Sequence, residues 1–153
     1  MHLAQLNITR AKYSLDDPRI ADFVNALELV NGIGERSEGF VWRLKDESGN
    51  ATSMHAFDDP AIIANLTVWE SVEHLQKFVW KTVHKRFFER RAEWFDTAKE
   101  TNLVMWRVVP GHRPTLVEAR ERLEHLRAHG PTDHAFGWKD PRNDQLSRNG
   151  QSA

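Results

Sequence analysis

The side chains with chemistry to offer cluster in one stretch of the chain and at a few strand positions. His84 stands among Trp80, Phe87, Phe88, Arg91 and Phe95 at helical spacing. A histidine in that setting can move a proton as a general acid or base, or donate a hydrogen bond to a ligand; burial and a nearby arginine both favour its neutral form. The same spacing also suits a buried histidine bonded to a backbone carbonyl, and the residues alone leave both readings open. His125 and His129 stand four apart on an arginine-rich helix, without the carboxylate of a His-Glu-x-x-His motif. They read as solvated surface, and no metal site is expected. His112 falls in the turn Gly111-His112-Arg113-Pro114, where it can dock on the core or on a partner chain. The basic cluster Lys85, Arg86, Arg90 and Arg91 is interleaved with Glu89 and Glu93, so pairing along a helix explains it. The sequence has no glycine-rich phosphate loop, no dinucleotide fingerprint and no Gly-x-Ser-x-Gly elbow.

Composition narrows the chemistry further. With no cysteine, the chain has no disulfide, no thiolate-bound zinc or iron–sulfur centre and no thiol nucleophile. Its 21 basic and 22 acidic residues give a net charge of −1, which offers no global attraction to nucleic acid or a membrane surface. No apolar run is long enough to span a bilayer and the first residues do not read as a signal peptide, so a cytoplasmic location is expected. The unusual count is six tryptophans beside one tyrosine, which suggests an aromatic core or an aromatic-lined cavity.

The elements that must position these groups follow from periodicity. Residues 2–9 alternate, with Ala4, Leu6 and Ile8 on one side and Gln5, Asn7 and Thr9 on the other, as in a half-buried strand. Asp17 and Pro18 open a helix with the stripe Ile20, Phe23, Val24, Leu27 and Val30, whose last turn is weakened by Gly32 and Gly34. Strands are expected at 40–44, 62–69 and 102–109, with a long polar loop at 45–60. Ser71 caps a helical region running to about Phe95, where the period slips near Lys81-Thr82-Val83, as at a kink. The capping box Thr115-x-x-Glu118 starts a last helix that buries Leu116, Ala119, Leu123 and Leu126 and stops at Gly130-Pro131. The order β-α-β-β-α-β plus one helix is the ferredoxin-like α+β pattern. A single domain is expected over 1–138, with a tail at 139–153.

If the helices cover the apolar strand sides, the opposite sheet face carries Gln5, Asn7, Asn65, Thr67 and Trp69, joined by Met105, Arg107, Val41 and Arg43. Trp42 and Trp106 then fall on the helix-packed side as a supporting shell. A half-polar, partly aromatic face covered by a second copy of the chain would form a pocket for a small organic molecule. The expected ligand-contacting residues are Gln5, Asn7, Asn65, Thr67, Trp69, Trp80, Arg91 and Arg107, with His84 as the catalytic acid/base.

A resemblance accompanies these residues. Gln5-Leu6-Asn7, Phe40-Val41-Trp42-Arg43-Leu44, Ser48-Gly49-Asn50-Ala51-Thr52 and Val68-Trp69-Glu70-Ser71 carry its first half. Phe78-Val79-Trp80, His84, Arg91-x-x-Trp94-Phe95, Trp106, Gly111-His112-Arg113-Pro114-Thr115 and Leu126-Arg127-x-His129-Gly130-Pro131 carry the second. Together they resemble an uncharacterised bacterial domain-of-unknown-function family of the dimeric α/β-barrel, antibiotic-biosynthesis-monooxygenase-like superfamily. The resemblance implies a homodimer with one small-molecule pocket per subunit, and no cofactor. It implies a cofactor-independent monooxygenase or isomerase acting on an aromatic or polyketide-like substrate. A non-catalytic small-molecule-binding protein is the alternative, as is a haem-binding member. The haem-degrading branch is similar in its strand Asn, Trp and helical His, matched in type by Asn7, Trp69 and His84. Its haem-ligating histidine falls four residues later, where this chain has Phe88.

Overall fold

The computed structural model describes residues 1–14, 16–45, 62–79, 93–94 and 101–138, with the backbone alone at 26–29. The expected loop after Lys45, the helical slip near residue 82, Phe88 and the tail at 139–153 lie outside the described residues.

The alternating first segment forms β1 (His2–Arg10). It pairs antiparallel on one side with β3 (Ile62–Trp69) and on the other with β4 (Leu103–Val108). β2 (Phe40–Arg43) joins the free side of β3, giving the antiparallel order β2-β3-β1-β4 of the ferredoxin-like fold. Between Phe40 and Trp42 the register shifts, so Phe40 lies opposite Trp69, Trp42 opposite Val68 and Arg43 opposite Thr67. The extra residue, Val41, is partly exposed at the sheet edge.

Local chemistry sets the helix ends. Asp17 accepts a hydrogen bond from the Arg19 amide (2.9 Å) and caps a short 3₁₀ turn, Pro18–Ile20, which runs into α1 (Ala21–Glu35). Gly32 and Gly34 do not end this helix. A Cβ on Gly34 would stand 3.3 Å from the Phe78 ring, so this glycine lets α1 and the next helix approach closely. Ser71 accepts from the His74 amide (3.2 Å) at the start of α2 (Val72–Phe78). Gly39, with φ +82°, makes the turn before β2, and the His74 ring fills the space a Cβ would need. Thr115 accepts from the Glu118 amide (3.1 Å) to begin α3 (Leu116–His129), and Gly130 closes it with φ +74°.

The sheet is covered on both faces, and in the reverse of the expected sense. Ala4, Leu6, Ile8, Ala64, Leu66, Val68, Val104 and Trp106 form the apolar face, and α3 seals it with Ala119, Leu123 and Leu126. Trp42 packs against the same cluster. The mixed face, expected to be open, carries α1 and α2. Leu3, Trp69 and Met105 meet Val72 and Leu75 of α2 at one end, while Ile20, Phe23, Ala11 and Trp94 gather around Ile63 at the other. Alternation assigns residues to faces but does not say which helix lies on which face. The apolar face requires a cover, and a helix with an apolar stripe three and four residues apart supplies it from later in the same chain. Both sheet faces are therefore covered by helices of the same chain, the apolar one by α3 and the mixed one, on which a second copy was expected to sit, by α1 and α2.

After α3 the chain returns along the outer edge of β4. Met105 and Phe136 exchange backbone hydrogen bonds of 2.7 and 2.9 Å, which satisfies part of that edge. Among the described residues no helix is long and apolar enough to cross a membrane.

Candidate functional site

The strip between the two apolar ends of the mixed face is polar. Asn7 lies directly opposite Asn65, and Gln5 opposite Thr67; Arg43 continues the second row on β2. The sequence-derived placement of Gln5, Asn7, Asn65, Thr67 and Trp69 on one face is therefore correct, and Arg43 joins them.

Burial divides this set. Gln5 is 4% exposed and donates through Nε2 to the Asn65 carbonyl oxygen at 3.1 Å. Thr67 is 7% exposed, and its Oγ1 accepts from the Trp69 indole N–H at 3.0 Å. Trp69 is 1% exposed, edge-on to Phe40 at 5.4 Å and stacked on Phe78 at 5.2 Å. These three side chains satisfy one another or pack as core. Trp69 is thus a buried support rather than a cavity wall, because α2 covers the face that was expected to be open. Asn7 is half-buried and Asn65 exposed, and among the described residues neither amide side chain has a hydrogen-bond partner. In this set they are the polar side chains left unpaired among the described residues.

Arg107 sits elsewhere. It lies opposite Leu3, four residues along β1 from Asn7, or about 13 Å at strand rise. Its guanidinium stands 5.6 Å from the Phe136 ring centre, a cation–π placement at the far end of the face. His84, Trp80 and Arg91 lie outside the described residues. Val79, just before that stretch, packs at the Trp69 end of the strip, and Trp94, just after it, meets the Phe23 ring at a tilt of 43° at the Ile63 end (5.7 Å).

A charged group missed by the sequence reading borders the strip. Glu35, at the end of α1, lies 2.6 Å from Arg43 Nε and 2.8 Å from Lys45 Nζ. Lys45 and Arg43 together hold its carboxyl below the usual carboxylate range. An open groove of about 490 Å³ runs beside this triad along Phe40 to Lys45. The triad joins residues from a helix end, a strand and a loop, and no local spacing announces it. Its charges are already paired, so the polar strip and not the groove offers uncommitted hydrogen-bonding groups.

On the opposite face, the polar groups are structural. Glu118 accepts from the Trp106 indole N–H at 2.9 Å through one oxygen, and its other oxygen lies 2.8 Å from His112 Nε2. The same residue gives its amide to the Thr115 cap, so the Gly111-His112-Arg113-Pro114-Thr115 turn fastens α3 to the sheet. His112 thereby docks on its own chain.

Comparison with other proteins agrees with this fold. The profile of the family described as Domain of unknown function (DUF3291) matches residues 2–151, and the chain belongs to that family. Among solved structures, it is similar to a conserved protein from Methanosarcina mazei Go1, with 16% identity and a TM-score of 0.50, covering 71% of this chain and 94% of that one. A protein of unknown function from Nitrosomonas europaea is similar at 12% identity and a TM-score of 0.50, covering 74% and 95%. A putative antibiotic biosynthesis monooxygenase from Chloroflexus aurantiacus J-10-fl aligns at 17% identity and a TM-score of 0.45, covering 74% and 98%. No curated protein matches the sequence. At these identities the two structures with a TM-score of 0.50 speak for the fold alone.

Proposed function

We propose that this protein is a small-molecule enzyme whose ligand sits over the Asn7–Asn65 pair on the helix-bearing sheet face. The observation that carries the reading is that pair. Two amide side chains face each other across β1 and β3, reachable by solvent and flanked by aromatic clusters at both ends. Uncommitted amides between apolar walls suit an organic molecule with oxygen substituents on a planar body. Gln5 holds the Asn65 backbone from the neighbouring position on the same face. Trp80 and Arg91 are assigned to the same ligand from their sequence positions, and Arg107 to the far end of the face.

His84 is assigned as the acid/base. It would take a proton from an acidic C–H of a bound ketone or from the O–H of a bound phenol, while Asn7 and Asn65 donate hydrogen bonds to the enolate or phenolate oxygen that forms. Returning the proton at another carbon isomerises the substrate; alternatively the carbanion reduces dioxygen and bonds to it, and the resulting hydroperoxide breaks its O–O bond, losing water and leaving a carbonyl on that carbon. The family resemblance implies either outcome. Since α1 and α2 cover the mixed sheet face and α3 the apolar one, self-association is assigned to other surfaces.

Titration of intrinsic tryptophan fluorescence with a panel of planar hydroxylated polycyclic ketones, followed by product analysis under air, tests this. Saturable quenching that weakens about tenfold in Asn7→Ala is expected for a lost ligand hydrogen bond. His84→Ala should still bind and lose turnover. A fully active His84→Ala beside an inactive Asn7→Ala would sink the acid/base assignment. Binding without chemical change for every probe would make the protein a carrier, and no binding at the strip would remove the site.

A further inference from the structure

The sequence reading treated His125 and His129 as surface. The fold adds two groups to His125 that sequence spacing does not join. Glu121 stands one turn before it on α3, and His134 arrives from the segment after Gly130-Pro131. One ligand atom from each of Glu121, His125 and His134 lies within 4.8 Å of the others. The His125 and His134 rings meet edge to face at 4.6 Å between centroids, and His129 lies 4.6 Å from His125 on the other side.

We propose that Glu121, His125 and His134 form a binding site for a divalent transition ion of the zinc class. Two imidazoles and one carboxylate are the donor set such an ion takes, with nitrogen and oxygen bonds near ~2.0–2.2 Å. His134 Nε2 lies 2.8 and 2.9 Å from the two Glu121 oxygens, so a proton now occupies the position between them. An ion in its place requires the pair to open to roughly 3.3 Å, a rotamer adjustment available to the exposed Glu121 side chain. Burial, then the neighbouring His129 and His134, lower the His125 pKa and so favour the neutral imidazole that a metal needs.

The surroundings also define a competitor. Arg122 Nη1 lies 3.0 Å from His134 Nδ1 and 2.9 Å from the His134 carbonyl oxygen. An arginine can only donate, so in the free protein Nδ1 is the acceptor and Nε2 carries the proton. Binding an ion through Nε2 moves the remaining proton to Nδ1, and Arg122 then keeps only the carbonyl bond. Thr132, whose Oγ1 lies 3.2 Å from His125 Nε2, can stay as an outer partner of the cluster or release it. The consequence is mechanical. His134 stands two residues before Phe136, which is bonded to the β4 edge, so an ion would tie α3 to that edge.

The test is titration of the metal-stripped full chain with Zn²⁺ by calorimetry, with Co²⁺ absorption as the probe of coordination and thermal melts of both forms. One ion per chain, a higher Tm with Zn²⁺ and a four- or five-coordinate Co²⁺ spectrum are expected. Both His134→Ala and Glu121→Gln should weaken binding by about 100-fold, since even a lost outer partner costs roughly 10- to 100-fold. Metal-free melts of the variants check that they fold. Binding that survives His134→Ala but disappears in His129→Ala would overturn the proposal in favour of a simple i,i+4 histidine pair. Absence of stoichiometric binding in the unmodified protein would also overturn it.

Discussion

The two faces of the sheet are built from the same four strands and do different work. Under α3, the face is apolar from end to end, and its polar contacts serve only to fasten the helix. Under α1 and α2, the apolar residues retreat to the two ends and leave a polar strip in the middle. The first arrangement maximises burial. The second gives up burial at Asn7 and Asn65 and in return presents hydrogen-bonding groups that no described protein residue uses. On the proposed function, stability and recognition fall on opposite faces of the sheet.

The largest effect is expected on the α3 face. Trp106 is fully buried and hydrogen-bonded to Glu118, so Trp106→Ala should destabilise the fold by about 3–5 kcal/mol in urea denaturation. A loss below about 1 kcal/mol would mean that α3 does not pack on the sheet in solution. On the mixed face, Thr67→Val keeps the shape but strips the buried Trp69 indole N–H of its acceptor. It should cost about 1–3 kcal/mol, readable in the same denaturation series. Removing the α3 cap with Thr115→Ala is expected to cost about 1 kcal/mol. Asn65→Ala, by contrast, should leave stability within about 0.5 kcal/mol while weakening ligand binding, which separates the strip from the core around it.

The smallest effect is one of pH. The His125 pKa lies below the ordinary imidazole value of 6.5, first through burial and then through His129 and His134. The unfolded chain therefore binds this proton more readily than the folded one, so stability rises with pH through that region and falls on acidification below about 6.5. Melting curves between pH 5 and 8 should show this slope, and His125→Gln should flatten it. An unchanged slope in the variant would assign the pH dependence to other groups.

Much of the fold is legible in the sequence because its signals are local. The Ala4-Leu6-Ile8 alternation, the Asp17, Ser71 and Thr115 caps and the Gly130 stop all act within a turn or two, and each is found where expected. The site was legible only in part. Gln5, Asn7, Asn65, Thr67 and Trp69 share a face, as alternation requires, yet burial makes supports of Gln5, Thr67 and Trp69 and leaves the two asparagines available. Arg107 is on the correct face but at its far end, because position along a strand fixes distance as firmly as parity fixes side. The bulge at Val41 brings Phe40 onto the Trp69 side, which simple alternation through residues 40–44 does not give.

The sequence by itself determined which residues point together, where helices start and stop, and the family to which the chain belongs. The family follows from the match over residues 2–151, and the strand faces and helix ends from backbone stereochemistry and short-range hydrogen bonding, which act on neighbours in the chain. Only the tertiary structure decided that α3 covers the apolar face, that α1 and α2 cover the mixed one, and that Glu121, His125 and His134 meet. Those outcomes depend on which of several apolar surfaces find each other across long stretches of chain. Hydrophobic burial drives that choice without direction, and the complete set of packed elements selects it.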